Sequence, residues 1–304
     1  LSTKPKLIVI TGPTASGKTA LSIWLAQQLH CDILSADARQ FYRELKIGSA
    51  APTEVELAAA NHHFIGNKSI TAHYNAGLFA QDALVCLENL FQKIKVQILC
   101  GGSGMYIKAL TEGLDDLPDA DPEIREKYKR LLASEGIAAL QRILEKNDPE
   151  YFNTVDQNNP QRIIRALEII EQTGQSFTSL RLSKKQNRSF DIIYIALDLP
   201  RALLYDRINE RTIQMIDAGW LEECAGLKAF KNHNALQTVG YKEIFEYFEG
   251  SYDLNTCIAL IQQNTRRFAK RQLTYIRNQF NPEWINPENK KNLMDFITRK
   301  LNEQ

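Results

Sequence analysis

The sequence lacks most of the marks that would place it outside an ordinary globular class. Its 304 residues include five cysteines, Cys31, Cys86, Cys100, Cys224 and Cys257. None forms a CxxC pair and the number is odd, so neither a zinc site nor a disulfide framework is expected. A reducing, cytoplasmic setting is the expectation. No stretch approaches the ~18–20 apolar residues that a membrane span needs, and no membrane is expected as a partner. The net charge is +1, so only a local cluster of basic residues could draw a polyanion. Repeats and low-complexity tracts are absent. The first apolar run follows Lys4-Pro5-Lys6 and leads into Thr11-Gly12-Pro13, which reads as a strand rather than a signal peptide.

What is present is an apolar share of 44% with 24% charged residues, enough for a substantial core. Lys6–Ile10, Asp32–Asp37, Val96–Cys100 and Phe190–Leu197 are short apolar runs expected as strands of a parallel sheet. Helical patterns lie between them, notably Lys18–Leu29 and Ala76–Lys95. That alternation predicts an α/β fold with both sheet faces covered. Between about Leu114 and Asn187 the pattern becomes purely helical. There, Asp121-Pro122, Asn159-Pro160 and Asp148-Pro149 each read as an N-cap followed by proline at the first helical position. The expected organisation is a core of residues 1–114 and 188–304 with a helical insertion domain at 115–187.

Gly12-Pro13-Thr14-Ala15-Ser16-Gly17-Lys18-Thr19 satisfies G-x-x-x-x-G-K-[ST] directly after the first strand and opens a helix. Glycines let the backbone curl so that its N–H groups face phosphate oxygens; Lys18 adds charge and the Thr19 hydroxyl can hold Mg2+. A polyphosphate is therefore expected there, although kinases, NTPases and some transferases share the motif. Asp37 ends the second strand and should face the same place, because ligands of open α/β sheets collect at the carboxyl ends of strands. A turn cap is its plainer role. Gly101-Gly102-Ser103-Gly104 ends the Val96–Cys100 run in the same manner. Arg207 and Arg211 lie four apart on one predicted helix, as a pair for anionic oxygens or as a solvated face. Residues 265–277 carry five basic side chains and no acidic one, and Gln161-Arg162-Ile163-Ile164-Arg165 places two arginines on one helical face. Together they predict two basic walls around a polyanion.

In sum, GPTASGKT, Asp37 with Gln40 and Tyr42, Ile47-Gly48, GGSGMYIKAL, QRIIRALEI, RINERTIQMIDAGWLEE, VGYKE and RRFAKRQLTYIR stand in this order from Ile10 to Arg277. This series resembles the tRNA dimethylallyltransferases, also called tRNA isopentenyltransferases or IPP transferases. The resemblance implies a P-loop NTPase-like parallel sheet with a helical insertion domain that contacts tRNA. It implies transfer of a dimethylallyl group from dimethylallyl diphosphate to the N6 amine of the adenosine 3′-adjacent to the anticodon, releasing diphosphate. Gly12–Thr19 would then hold the diphosphate of the donor rather than ATP, with Mg2+ on Thr19. Asp37 would be the general base or hydrogen-bond acceptor for the amine, and Arg211, ahead of Arg207, the arginine that neutralises the leaving group together with Lys18 and Thr19. The tRNA contacts implied are Asp37, Ala38, Arg39, Gln40, Ser103, Arg125, Gln161, Arg162, Ile163, Ile164 and Arg165, with Arg266, Arg267, Lys270 and Arg271 on the basic helix. A monomer is expected. Two positions depart from the family pattern: Ala38 replaces a common serine, and Ala51 a common lysine.

Three alternatives remain open at this point. A nucleoside or small-molecule kinase would use the helical insert as a lid. An adenylate prenyltransferase would act on free AMP or ATP. A tRNA-binding protein with a relict P-loop would catalyse nothing.

Overall fold

β-Branched and leucine-rich runs buried on both faces organise the chain, as seen in a computed structural model that describes residues 4–115, 117–181 and 185–303. The chain forms two compact units, one from residues 1–112 and 187–304, the other Gly113–Gln186. In chain order the first unit begins β1 (Lys6–Thr11), α1 (Lys18–Leu29), β2 (Ile33–Ser35), α2 (Glu54–Ala59), β3 (His62–His63), α3 (Ala76–Lys93), β4 (Val96–Gly101) and α4 (Gly104–Glu112). The second unit holds α5 (Pro122–Glu135), α6 (Ile137–Asn147), α7 (Pro149–Thr154), α8 (Pro160–Thr173) and α9 (Phe177–Leu180). The first unit resumes with β5 (Asp191–Leu197), α10 (Arg201–Asp217), α11 (Trp220–Gly226), α12 (Tyr241–Phe248), α13 (Leu254–Gln279), β6 (Glu283–Ile285) and α14 (Lys290–Asn302).

The six strands form one parallel sheet in the order β3-β2-β4-β1-β5-β6. Alternation along β1 fills both faces, since successive strand side chains point to opposite sides. Leu7 and Val9 join Phe79, Leu87, Ile107 and Ile276 on one side. Ile8 and Ile10 join Leu21, Leu25, Leu293 and Ile297 on the other. The four runs expected as strands are all present, and β3 and β6 are two more that the sequence did not announce. β2 is shorter than the expected Asp32–Asp37. After Ser35 the chain turns away, and the Asp37 carboxylate accepts the Arg39 N–H at 2.9 Å.

Beyond β5 the chain builds a helical layer. α10 and α13 pack through Leu204, Ile208 and Ala269 with Ala15 of the Gly12–Thr19 loop beside them. α11, α12 and the start of α13 enclose Tyr42, Leu45, Trp220 and Tyr241 in a cluster of their own.

The helical unit forms where the proline-marked caps predict. Asp121 caps α5, Asp148 caps α7 and Asn159 caps α8, each side chain accepting a backbone N–H of the first turn. Asp148 is buried and also accepts the Thr178 N–H and hydroxyl, each at 2.8 Å, which ties α9 to α7. Tyr128, Leu140, Leu144, Ile163 and Leu167 are among the side chains of its core.

Candidate active site

The loop between β1 and α1 is shaped by its glycines and held by its neighbours. Gly17 takes φ 91° immediately before α1, a conformation that costs glycine little. Ala15 takes φ 63°, a left-handed conformation for a residue with a Cβ, of the kind found at ligand loops. Lys18 Nζ donates to the Pro13 carbonyl at 2.7 Å across the loop. The Ser16 hydroxyl is buried without a hydrogen-bond partner. A buried hydroxyl of this kind is costly unless a ligand oxygen completes it.

Beside this loop stands Asp37, placed by contacts of the backbone around it. Gly101 at the end of β4 presses on the chain after β2 so closely that a Cβ there would lie 2.2 Å from the Ala36 carbonyl oxygen. Ser103 then accepts the Ala38 N–H on Oγ at 2.9 Å and donates its own N–H to Ala36 at 3.2 Å. Asp37 thus combines the plainer role, a turn that accepts the Arg39 N–H, with a place on the wall of a cavity of about 390 Å3. Thr14, Arg39, Ser103 and Arg211 are among the other polar residues that line it. The rest is largely apolar, with Met105, Ile208, Met215, Trp220, Val239 and Phe268 in its walls.

Electrostatics ties these groups together. Burial pulls Lys18 down from the usual lysine range to about 8; Cys100 and Asp37 oppose that shift and Arg211 reinforces it. Burial likewise lowers Arg211, against the pull of Asp37. A guanidinium so placed still stays protonated at neutral pH. Arg211 Nη2 donates to the Thr14 hydroxyl, so this arginine reaches the front of the phosphate loop. Arg207, one turn earlier on α10, lies at the other end of the loop. Its Nη1 is 4.0 Å from where a Cβ of Gly17 would stand, and its Nη2 pairs with Glu288 at 3.4 Å. Among the described residues no cluster of three or more His, Cys, Asp or Glu could hold a metal. Thr19 offers a hydroxyl oxygen, a donor of the kind that Mg2+ takes together with phosphate oxygens and water.

The family model described as IPP transferase matches residues 40–279. The chain belongs to the IPP transferase family. The tRNA dimethylallyltransferase of Christiangramia forsetii is 52% identical over 297 residues, spanning 97% of this chain and 98% of that protein. A solved structure, the full-length tRNA isopentenylpyrophosphate transferase of Bacillus halodurans, is 34% identical with a TM-score of 0.72 and covers 98% of this chain and 97% of that one. A eukaryotic dimethylallyltransferase acting on tRNA is 24% identical. It shares the fold at a TM-score of 0.74, over 93% of this chain and 74% of its own.

In this IPP transferase the remaining predicted contacts fall into distinct environments. Ile163 and Ile164 are buried in the core of the helical unit, so their side chains are no part of a tRNA surface. That corrects the expectation, and the reason is the helical period, which turns both positions inward while Gln161 and Arg162 remain exposed. Arg125 and Arg165 pair with fully buried Glu168 at 2.8 Å and 3.4 Å, which neutralises much of the charge expected on that face. On α13, Arg267, Lys270 and Arg271 are exposed, and Arg271 reaches the cavity. Arg266 instead bonds Asn209 of α10 and lies over the Tyr205 ring. The Gln40 amide joins the Ser35 hydroxyl and the Ala50 carbonyl, each at 3.0 Å.

The sequence reading missed three residues that shape the site. Gln272 links the phosphate loop to Gly102. Glu223 and Tyr241 hold the chain at Gly48, in the cavity wall. Their signal was present in GWLEE, VGYKE and KRQL, but a motif's spacing does not say which loop it touches.

Proposed function

We propose that this chain transfers the dimethylallyl group of dimethylallyl diphosphate to the N6 amine of the adenosine 3′-adjacent to the anticodon of tRNA, releasing diphosphate. The observation that carries the reading is the single cavity in which a P-loop threonine, a carboxylate and an arginine meet an apolar chamber. A prenyl chain would bury its apolar surface in such a chamber.

Gly12–Thr19 would cradle the diphosphate, with Thr14 oriented by Arg211. The adenine amine attacks C1 of the prenyl group as the C1–O bond breaks, and the bonding pair leaves on the diphosphate. Asp37 accepts the proton released from N6, which makes a delocalised amine a usable nucleophile. Lys18 and Arg211 stabilise the charge that develops on the leaving oxygen. Thr19 would hold Mg2+, which when bound supplies further neutralisation of the diphosphate. The target base must leave its stack to reach Asp37. Arg39, Arg267, Lys270 and Arg271 are proposed as phosphate or base contacts, and Gln161 and Arg162 as contacts on the helical unit. No helix among the described residues is long and apolar enough to cross a membrane. A soluble substrate such as tRNA fits a cytoplasmic enzyme.

The test is Asp37→Asn in single turnover with an unmodified anticodon stem-loop. The rate is expected to fall by about 10²–10⁴-fold, the range for loss of a general base, while stem-loop affinity stays near wild type. An unchanged rate would remove Asp37 from this role.

A further inference from the structure

Three loops carry the reactive groups of the site, and one buried amide connects them. The phosphate loop follows β1, Asp37 follows β2, and the turn 101–104 follows β4, which lies between β1 and β2 in the sheet. Gln272 of α13 is 8% exposed and reaches into this array. Its Oε1 accepts the Thr14 N–H at 2.8 Å and its Nε2 donates to the Gly102 carbonyl at 2.9 Å. Both ends of the amide are thereby used, and the two partners fix which end is oxygen. A side chain on Gly102 would displace this amide, because its Cβ would lie 2.4 Å from Gln272 Nε2. The next residue, Ser103, accepts the Ala38 N–H at 2.9 Å beside Asp37. A continuous path therefore runs from Thr14 through Gln272, Gly102 and Ser103 to Ala38.

We infer that Gln272 is a positioning residue that sets the spacing between the leaving-group cradle and the carboxylate of Asp37. The inference rests on the prenyl-transfer reading, in which the diphosphate and the amine proton are handled at the two ends of this path. Each end can bind its ligand without the bridge, but transfer requires both at the right separation. Errors of about 1 Å in such geometry cost on the order of 10²-fold in rate. α13 also carries exposed Arg267, Lys270 and Arg271, so the bridge roots the phosphate loop in the helix proposed to meet tRNA.

The test uses Gln272→Met, which keeps the length of the side chain and removes both hydrogen bonds, and Gln272→Glu. With saturating donor, Gln272→Met is expected to slow single-turnover transfer by roughly 30–100-fold, with the dissociation constants for diphosphate and stem-loop within about threefold of wild type. Gln272→Glu supplies a readout that a merely structural role would not move. As a neutral acid it accepts from Thr14 and donates to Gly102; once ionised it has no donor left. Its rate should therefore recover as pH falls, a limb that the wild-type profile lacks. Amide exchange at Thr14 and Ala38 in the ligand-free Met variant is read independently of catalysis, and loss of protection at both is expected. A wild-type rate for Gln272→Met, a Glu profile parallel to wild type, or unchanged protection at Ala38 would each overturn the inference. The wild-type transfer rate tests the prenyl-transfer reading separately, and the ratio of variant to wild type tests the bridge.

Discussion

The Glu223 carboxylate receives the Tyr241 hydroxyl at 2.6 Å, and the same carboxylate collects three successive backbone N–H groups, those of Lys46, Ile47 and Gly48, at 2.8, 2.7 and 3.0 Å. Gly48 is pressed against this pair, since a Cβ there would lie 2.2 Å from Trp220 Nε1 and 2.4 Å from the Tyr241 hydroxyl. The clamp thus shapes the Gly48–Ala50 wall of the cavity.

Glu223→Ala should leave those donors without their acceptor. At about 1–3 kcal/mol for each buried donor left unsatisfied, and with water reaching some of them, a loss of about 2–4 kcal/mol is expected in denaturant unfolding. Tyr241→Phe removes one of the four bonds and should cost about 1 kcal/mol. A Glu223→Ala loss below about 0.5 kcal/mol would show that the loop holds itself, since that is the size of an ordinary surface change.

Lys18 gives the site a pH dependence whose sign follows from its environment. With no ligand, burial holds its pKa at about 8. A bound diphosphate favours the ammonium form and raises that value. Affinity for diphosphate should then be level below pH 8 and weaken by about tenfold per unit above it, until the ligand-bound pKa is reached. Calorimetry in buffers of different ionisation heat should record proton uptake above pH 8. Constant affinity from pH 7 to 10 would contradict this placement of Lys18.

The basic residues of α13 should separate by environment. Arg267→Ala, Lys270→Ala and Arg271→Ala are each expected to flatten the salt dependence of stem-loop binding by up to about one counterion in the logarithmic slope. Arg266→Ala should leave the slope unchanged and reduce stability instead, because Arg266 is engaged with Asn209 and Tyr205. Equal effects from all four would contradict this division.

How much of this was legible in the sequence depends on whether the cause was local. The phosphate loop, its strand and its helix lie within Lys6–Leu29, and spacing alone placed them. The caps at Asp121, Asp148 and Asn159 were legible because proline and the side-chain acceptor sit within one turn. β3 and β6 have two and three residues, too few for any period, and exist because a neighbouring strand offers its edge. Gln272 meets Thr14 across 258 positions, a contact that only the fold creates. Arg125 and Arg266 meet partners 43 and 57 positions away, Glu168 and Asn209, which spacing could not assign, whereas the pairing of Arg165 with Glu168, three residues on along α8, was legible in principle. The inward turn of Ile163 and Ile164 was legible in principle, since both are apolar at helical spacing between two arginines.

The most direct measurement of the central claim is product analysis with labelled dimethylallyl diphosphate and Mg2+, offering the chain an unmodified anticodon stem-loop, free AMP and ATP in parallel. Label is expected on the N6 amine of the adenosine 3′ of the anticodon, with release of diphosphate and no cleavage of ATP. Label on AMP with none on the stem-loop, or ATP cleavage without prenyl transfer, would contradict it.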